Sequence, residues 1–464
     1  MAYTNTLLAA DVALNTFSIV GLLPFVGLLA CIAVFPLVPS LHHWWEQNRN
    51  KLIIAVVLSV VALGYYALRD TGYHGAAPGG ASILRVVEHA MMHEYVPFMT
   101  LLFSLYVIAG GIVVRGDLRA TPRVNTAILA LGAVLANLIG TTGASMVLIR
   151  PLLSTNRERK HVVHTVIFFI FLVSNIGGCL TPIGDPPLFL GFLRGVPFFW
   201  TLRLWKEWAL LCAVLLVIYY FWDRWAYRHE QIRDLVRDVA EVQPIRVVGL
   251  LNVIWLVGVV AAVVMLDPSK PVPGTDWRPF PLLRELVQLG FAGLSLVVTR
   301  RAWRIENKFN YVAIGEVACL FLGIFITMQA PIEMLHALAG GFQQRGLSEP
   351  WQFFWMTGVL SSFLDNAPTY VVFFETANHF TNLPEQAIVR LTDGRTIRQD
   401  LLVAISCAAV FMGANTYIGN GPNFMVKAIA EQAGVRMPTF FGYLAYSGAI
   451  LIPLFIIMTF VFFR

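Results

Sequence analysis

Four apolar stretches of this sequence, each long enough to enter a lipid bilayer, are broken midway by Gly, Pro and polar residues. Gly140-Thr141-Thr142-Gly143 interrupts Thr121–Leu153, and Thr181-Pro182-Ile183-Gly184-Asp185-Pro186-Pro187 interrupts His161–Gly195. Asp365-Asn366-Ala367-Pro368 interrupts Trp351–Asn378, and Gly419-Asn420-Gly421-Pro422 interrupts Leu401–Glu431. Bare backbone cannot face hydrocarbon, because each unpaired N–H or C=O costs several kcal/mol there. Each break must therefore be packed in protein or line a polar cavity, and four of them leave few folds open.

The bilayer itself is implied by composition. The chain is 57% hydrophobic and only 13% charged, where soluble domains carry roughly 25% charged residues. Runs such as Thr16–Pro39, Leu52–Leu68, Ile245–Leu266 and Phe440–Phe463 match a hydrocarbon core of roughly 30 Å. The first run is too long for a signal peptide and is expected to stay as a span. These features predict a multi-pass protein of the cell inner membrane, with the lipid bilayer as its surroundings.

Several function classes fall away. The net charge of +6 sits beside apolar spans, as orientation signals do. It forms no compact basic domain, so no nucleic-acid partner is expected. The five cysteines (Cys31, Cys179, Cys212, Cys319, Cys407) lie in or beside apolar segments without a CxxC pair and read as small core hydrophobes. HExxH, GxSxG and Walker motifs are absent, so no enzyme and no cofactor is predicted. His89 and His93 stand one helical turn apart without an obvious third ligand, which favours a membrane-interface position over a metal site. Without an ATP-binding cassette, transport has to be passive or driven by an ion gradient.

The apolar segments fit an all-α membrane protein with about ten crossings, two re-entrant hairpins (121–153 and 351–378) and two broken helices (161–195 and 401–431). Charge supports that layout. With His42–Lys51 cytoplasmic and both hairpins returning to their side of entry, the inside loops collect Arg49 and Lys51; Arg115, Arg119 and Arg123; and Arg150, Arg157, Arg159 and Lys160. They also collect Arg224, Arg228, Arg233, Arg237 and Arg246; Arg300, Arg301, Arg304 and Lys308; and Lys427 with Arg436. Together these are well over half of the 33 Lys and Arg, as cytoplasmic loops require. Reading Thr121–Leu153 as a full crossing would put Arg115–Arg123 and Arg150–Lys160 on opposite sides.

Each half then has an odd number of crossings, so residues 1–230 and 245–464 form two inverted-topology repeats. Residues 231–244 are a cytoplasmic linker whose charges (Arg233, Asp234, Arg237, Asp238, Glu241) suit a solvated helix. Inverted repeats with paired interruptions are the sequence mark of a secondary transporter. The match reaches single residues: Ile183-Gly184-Asp185-Pro186-Pro187 sits against Ile418-Gly419-Asn420-Gly421-Pro422, Thr181 against Thr416, and Gly140–Gly143 against Asp365–Pro368. The second half has the longer connection between its breaks, which the polar external loop Thr381–Asp400 can absorb.

Two carboxylates, Asp185 and Asp365, fall in the breaks. An ionisable group at membrane depth costs at least about 2.5–3.5 kcal/mol on insertion scales, and by default it faces a functional cavity. The competing structural role is capping of a half-helix N-terminus. Both lie among groups suited to a hard cation: Asn366, Thr369, Asn175, Thr181, Thr141, Thr142, Asn415, Thr416, Asn420 and Asn423. Such oxygen-rich, weakly charged surroundings favour sodium, with Asp365 and Asp185 as its charged ligands. Among the other ionisable groups, Glu316 is expected to pair with a basic residue, Glu94 to sit at the membrane interface, and Lys206-Glu207 to form an internal pair.

The chain resembles the ion transporter superfamily, which spans citrate and dicarboxylate carriers, arsenite/silicon effluxers and D-type sodium/proton antiporters. The resembling segments are Asn137–Ser145, Asn175–Pro187, Glu316–Phe325, Asp365–Thr369 and Gly413–Asn423, and their order agrees over nearly the whole chain. The nearest resemblance is to the sodium/proton antiporters and to chains labelled as citrate transporters. It implies a homodimer in which a scaffold carries a moving, elevator-type transport domain. The Ser-Asn-Thr signature of dicarboxylate carriers is missing from both hairpin tips. A di- or tricarboxylate beside Asp185 and Asp365 would be repelled unless sodium or protons neutralised them, and no Arg or Lys lies in the breaks. Sodium/proton antiport is the first expectation, with Na+ and H+ competing for carboxylates. Sodium- or proton-coupled citrate uptake and arsenite or silicic acid efflux (with Cys179 beside a break) stay open.

Overall fold

Long runs of Leu, Val, Ala and Phe leave the backbone only its own hydrogen bonds in a bilayer, and helices result. The computed structural model describes residues 19–240, 242–268, 271–272, 275–334, 347–378 and 387–464. Among them, seven helices are long and apolar enough to cross a membrane: Asn48–Leu68, Gly80–Ala109, Pro122–Thr155, Val163–Leu180, Phe198–Arg228, Val312–Met334 and Phe440–Phe462. Shorter apolar helices cover Ile19–Val34, Leu251–Met265 and Gln399–Asn415. A π turn at His89–Tyr95 sits just before Pro97, whose ring would clash with the carbonyl four residues back in a regular turn.

The longest of the seven does not run straight. Gly140, with φ 76° and ψ 155°, is a non-helical point inside Pro122–Thr155. A straight helix would hold Asn125 and Asn156 roughly 46 Å apart. Instead their side chains exchange two amide hydrogen bonds, at 2.8 and 2.9 Å. The segment is therefore a helical hairpin, hairpin 1, closed at its base by an amide pair and turned at its tip by a positive-φ glycine. A second one, hairpin 2, joins Pro350–Phe363 to Asn366–Ala377. Its arms meet where the Phe353 and Phe373 rings lie 6.4 Å apart.

Two further helices are broken as the sequence predicts. Broken helix 1 runs Val163–Leu172, a 3-10 turn at Ile176–Leu180, an extended Thr181, then Pro186–Leu193. Broken helix 2 runs Gln399–Met412, a 3-10 turn at Gly413–Asn415, an extended Thr416, then Gly421–Gln432. Proline at the first turn of each second piece fits the N-terminus, where its missing N–H leaves no bond unmade.

Three expectations need correction. Within a mostly helical fold, two expected span ends are strands: β1 (Val113–Asp117) pairs antiparallel with β2 (Gln243–Val248), and a further short pair joins β3 (Ile388–Arg390) to β4 (Thr396–Arg398). Val113–Val114 and Ile245–Val248 read as the ends of membrane spans, since short β-branched apolar runs do not separate strand from helix by periodicity. The linker does contain a helix, Ile232–Ala240, but Asp238 is buried and accepts from the Ala120 N–H at 2.9 Å. Lys51, expected in a loop, lies inside Asn48–Leu68 and pairs with Glu316 at 2.6 Å. That last contact supplies the basic partner expected for Glu316.

The closed base of hairpin 1 makes a prediction for a double-mutant cycle. Asn125→Ala and Asn156→Ala should each lower the unfolding midpoint in detergent, and their costs should be non-additive by roughly 0.5–3 kcal/mol. Thermal unfolding of the two single variants and the double variant checks this.

Candidate functional site

The four interruptions come together at one carboxylate. Asp185 closes the break of the first broken helix and is 1% exposed. Its Oδ1 accepts from Thr141 Oγ1 at 2.8 Å and from Asn420 Nδ2 at 3.1 Å. Its Oδ2 accepts from Asn366 Nδ2 at 2.6 Å. Thr141 stands at the tip of hairpin 1, Asn366 at the tip of hairpin 2, and Asn420 in the break of broken helix 2. One carboxylate therefore has a donor from each of the other three breaks. All three partners donate, so the site as built suits the ionised, acceptor-only form.

A second layer fixes these donors. Asn420 Nδ2 also donates to Ser174 O and Asn175 Oδ1, both at 3.1 Å. Asn175 Nδ2 donates to Asn423 Oδ1 at 2.7 Å, and Asn423 Nδ2 donates to the carbonyls of Gly413 and Thr416 at 2.8 and 2.9 Å. Asn415 Nδ2 donates to Ser362 Oγ at 2.9 Å. Thr181 donates to Asn137 O at 2.5 Å, and Thr416 donates to Ser362 O. Those last two bonds are counterparts: Asn137 stands three residues before Gly140, and Ser362 three before Asp365.

Glycine makes the same approach possible in both breaks. A Cβ on Gly184 would stand 2.1 Å from Gly178 O, and one on Gly419 would stand 2.6 Å from Gly413 O. Each pair brings two backbone segments into contact across its break, and Gly184 O in turn accepts from Thr141 N at 2.8 Å.

The two sequence-predicted carboxylates have different surroundings. Asp365 caps the second arm of hairpin 2, its carboxylate accepting from the Ala367 N–H at 3.1 Å. Thr369 Oγ1 donates to Asp365 O at 3.1 Å. Asp185 also precedes a helix but makes no side-chain cap bond. Thr142 follows Thr141 half-buried and, among the described residues, is not joined to Asp185. Asn137, Ser174 and Ser362 complete the arrangement without being sequence candidates. The signal that could have found two of them is their common offset of three residues before a break.

Chemically the site is an anion held by neutral donors, with oxygen to spare. Asn366 Oδ1 and Asn415 Oδ1 are buried without a hydrogen-bond partner, and an unmet buried acceptor costs about 1–3 kcal/mol. Asn366 bonds Asp185 directly, and Asn415 bonds Ser362 just before the tip of hairpin 2. Among the described residues, no Lys or Arg donates to Asp185. One carboxylate plus unmatched amide oxygens is an all-oxygen donor set, of the kind that suits a hard cation rather than a transition metal.

Other candidate groups lie elsewhere. Glu94, expected at the membrane interface, is buried: Arg194 Nη2 donates to its Oε1 at 2.5 Å and Gln329 Nε2 to its Oε2 at 2.9 Å. Arg194 Nε also donates to Glu375 Oε1 at 3.1 Å. This network ties the ends of broken helix 1 and hairpin 2 to Gly80–Ala109 and Val312–Met334. The burial of Glu94 left no local pattern in the sequence, because its partners lie 100 and 235 residues away. Glu207 is buried while Lys206 is exposed, and no ion pair joins them among the described residues. The His89 and His93 rings are 5.5 Å apart, and His74 stacks on His89 at 6.0 Å.

The glycine contacts carry a prediction. Gly184→Ala forces a methyl onto a backbone oxygen and should disrupt the break, lowering the yield of monodisperse protein. Gly290→Ala, where a Cβ meets nothing within 4 Å, should be neutral or mildly stabilising in its helix. Size-exclusion profiles and unfolding midpoints of the two variants check this.

A family model described as "Putative citrate transport" matches residues 14–463, nearly the whole chain. A comparison with curated proteins finds no match. Together with the apolar helices, the family match makes this a multi-pass membrane protein of a transporter family.

Proposed function

The chain belongs to the putative citrate transport family, and we propose that it is a secondary active transporter exchanging sodium for protons at Asp185. The observation that carries this reading is Asp185 itself, a buried carboxylate met by neutral donors from the other three breaks. A proton or a sodium ion satisfies that carboxylate, and the two compete for it. Inward protons then drive sodium out. Asn366 and Asn415 supply amide oxygens to the ion, and Thr141, Asn420, Asn175, Asn423, Thr181 and Thr416 hold the ring of donors. Asp365 and Thr369 set the tip of hairpin 2.

The same reading takes residues 1–230 and 245–464 as inverted repeats of ten crossings in all, joined by 231–244. The Thr181 and Thr416 bonds and the Gly178–Gly184 and Gly413–Gly419 contacts support it, being the same device in each half. The hairpins and broken helices form the moving body of an elevator, and the chain works as a homodimer in the cell inner membrane. Glu94, Arg194 and Glu375 lie where that body meets the remaining helices.

A second reading is favoured by the family description: uptake of citrate or a related carboxylate, coupled to sodium or protons. The family match does not single out the antiporter branch. In the second reading the ion at Asp185 couples rather than being cargo.

Proteoliposomes carrying an imposed pH gradient separate the two. Sodium alone should collapse the gradient, and apparent sodium affinity should fall as the pH falls, because protons occupy the same carboxylate. Asp185→Asn should abolish the effect. Asp365→Asn should retain it, since Asn caps a helix about as well as Asp. Sodium- or proton-dependent citrate accumulation, with no dissipation by sodium alone, would establish the second reading instead.

A further inference from the structure

The second arm of hairpin 1 ends at a cavity of about 570 Å³ lined, among the described residues, by six cationic side chains: Arg150, Arg157, Arg159, Lys160, Lys308 and Arg436. No carboxylate of the described residues lines it. A neighbouring cavity of about 730 Å³ shares Arg150, Ser154 and Arg157. Basic residues at cytoplasmic membrane edges are ordinary orientation signals, so the count of six alone decides nothing. Three are accounted for locally. Arg159 pairs with Asp223 at 2.6 Å, Arg157 with Glu158 at 3.1 Å, and Lys160 stands 4.0 Å from Asp234.

The other three have no ion-pair partner among the described residues. They come from separate elements: Arg150 from the second arm of hairpin 1, Lys308 from the turn after helix Arg301–Glu306, and Arg436 from the segment after broken helix 2. Arg150 is not a loop residue. It lies inside the helical arm, just before Pro151, and its Nη1 is buried without a hydrogen-bond partner. A buried guanidinium N–H with nothing to donate to is destabilising, and more so than in a neutral group. An acceptor in the cavity would remove that cost.

We infer that this cavity binds a multiply charged oxyanion, held in the Arg150 fork and by Lys308 and Arg436. The volume accommodates a compact polyanion. The planar guanidinium suits the paired oxygens of a phosphate or a carboxylate. Leu153, Val162, Val163, Ile429 and Val435 form an apolar wall beside the cations, which suits a lipid head group with its glycerol end as well as a soluble polyanion. The anion bridges hairpin 1, the Lys308 turn and the end of broken helix 2, so its binding stabilises this arrangement of the three. The site lies apart from Asp185, and the inference stands whether or not sodium/proton exchange is the activity.

Full-length protein in neutral detergent tests it by thermal unfolding with cardiolipin, citrate or pyrophosphate, against sodium chloride of matched ionic strength. Binding raises the midpoint in proportion to occupancy. At least one of the three anions should raise it beyond the chloride control, and Arg150→Gln should weaken that apparent affinity roughly tenfold, the effect of one lost charged contact. Arg224→Gln, outside the cavity, should leave it unchanged. A response to cardiolipin alone identifies a lipid head group, and a response to citrate or pyrophosphate a soluble polyanion. If Arg150→Gln does not fold, the exposed pair Lys308→Gln/Arg436→Gln must show the loss. No shift beyond chloride, or an equal loss in Arg224→Gln, overturns the inference.

Discussion

A carboxylate enclosed at membrane depth has to be met by donors, and at Asp185 that requirement organises the molecule. The helices here are built of apolar side chains and supply few donors along their length, and the polar side chains that serve stand where helices stop. Thr141, Asn366 and Asn420 stand at three such places and reach Asp185 at 2.6–3.1 Å. The breaks are thus mutually dependent. Each exposes polar backbone that the others cover, and the carboxylate is their common acceptor.

Close approach of backbone to backbone sets the second constraint. The Gly178–Gly184 and Gly413–Gly419 contacts leave no room for a methyl group, so each broken helix folds back on its own interruption. Thr181 and Thr416 then pin these turns to hairpin carbonyls three residues short of each tip. The result is a closely packed backbone around Asp185. The polar contacts toward the remaining helices are of another kind: Arg194, Glu94 and Glu375 form charge-assisted bonds between elements far apart in sequence. Such pairs are strong when made and costly to leave unmade, so they hold the two sets of helices in one arrangement.

Much of this was legible in the sequence because membrane physics narrows the choices. Bare backbone at depth marked all four breaks, and like charges at both ends of Thr121–Leu153 marked a hairpin that Asn125 and Asn156 close. Thr181 and Thr416, matched in sequence, each donate to a hairpin carbonyl three residues short of a tip. The difference between Asp185 and Asp365 was not legible. Both precede a helix, and only three-dimensional convergence shows that one accepts donors from three breaks while the other caps its own arm. The β1–β2 pairing and the burial of Glu94 were hidden for a related reason, since partners across more than 100 residues leave no local pattern.

The central claim is that the convergence at Asp185 is a cation site. Equilibrium binding of radiosodium to purified protein tests it most directly, with no cargo or membrane gradient involved. Wild type and Asp365→Asn should bind sodium, with protons competing, and Asp185→Asn should not. Sodium binding that survives Asp185→Asn, or that is lost only in Asp365→Asn, would contradict the account.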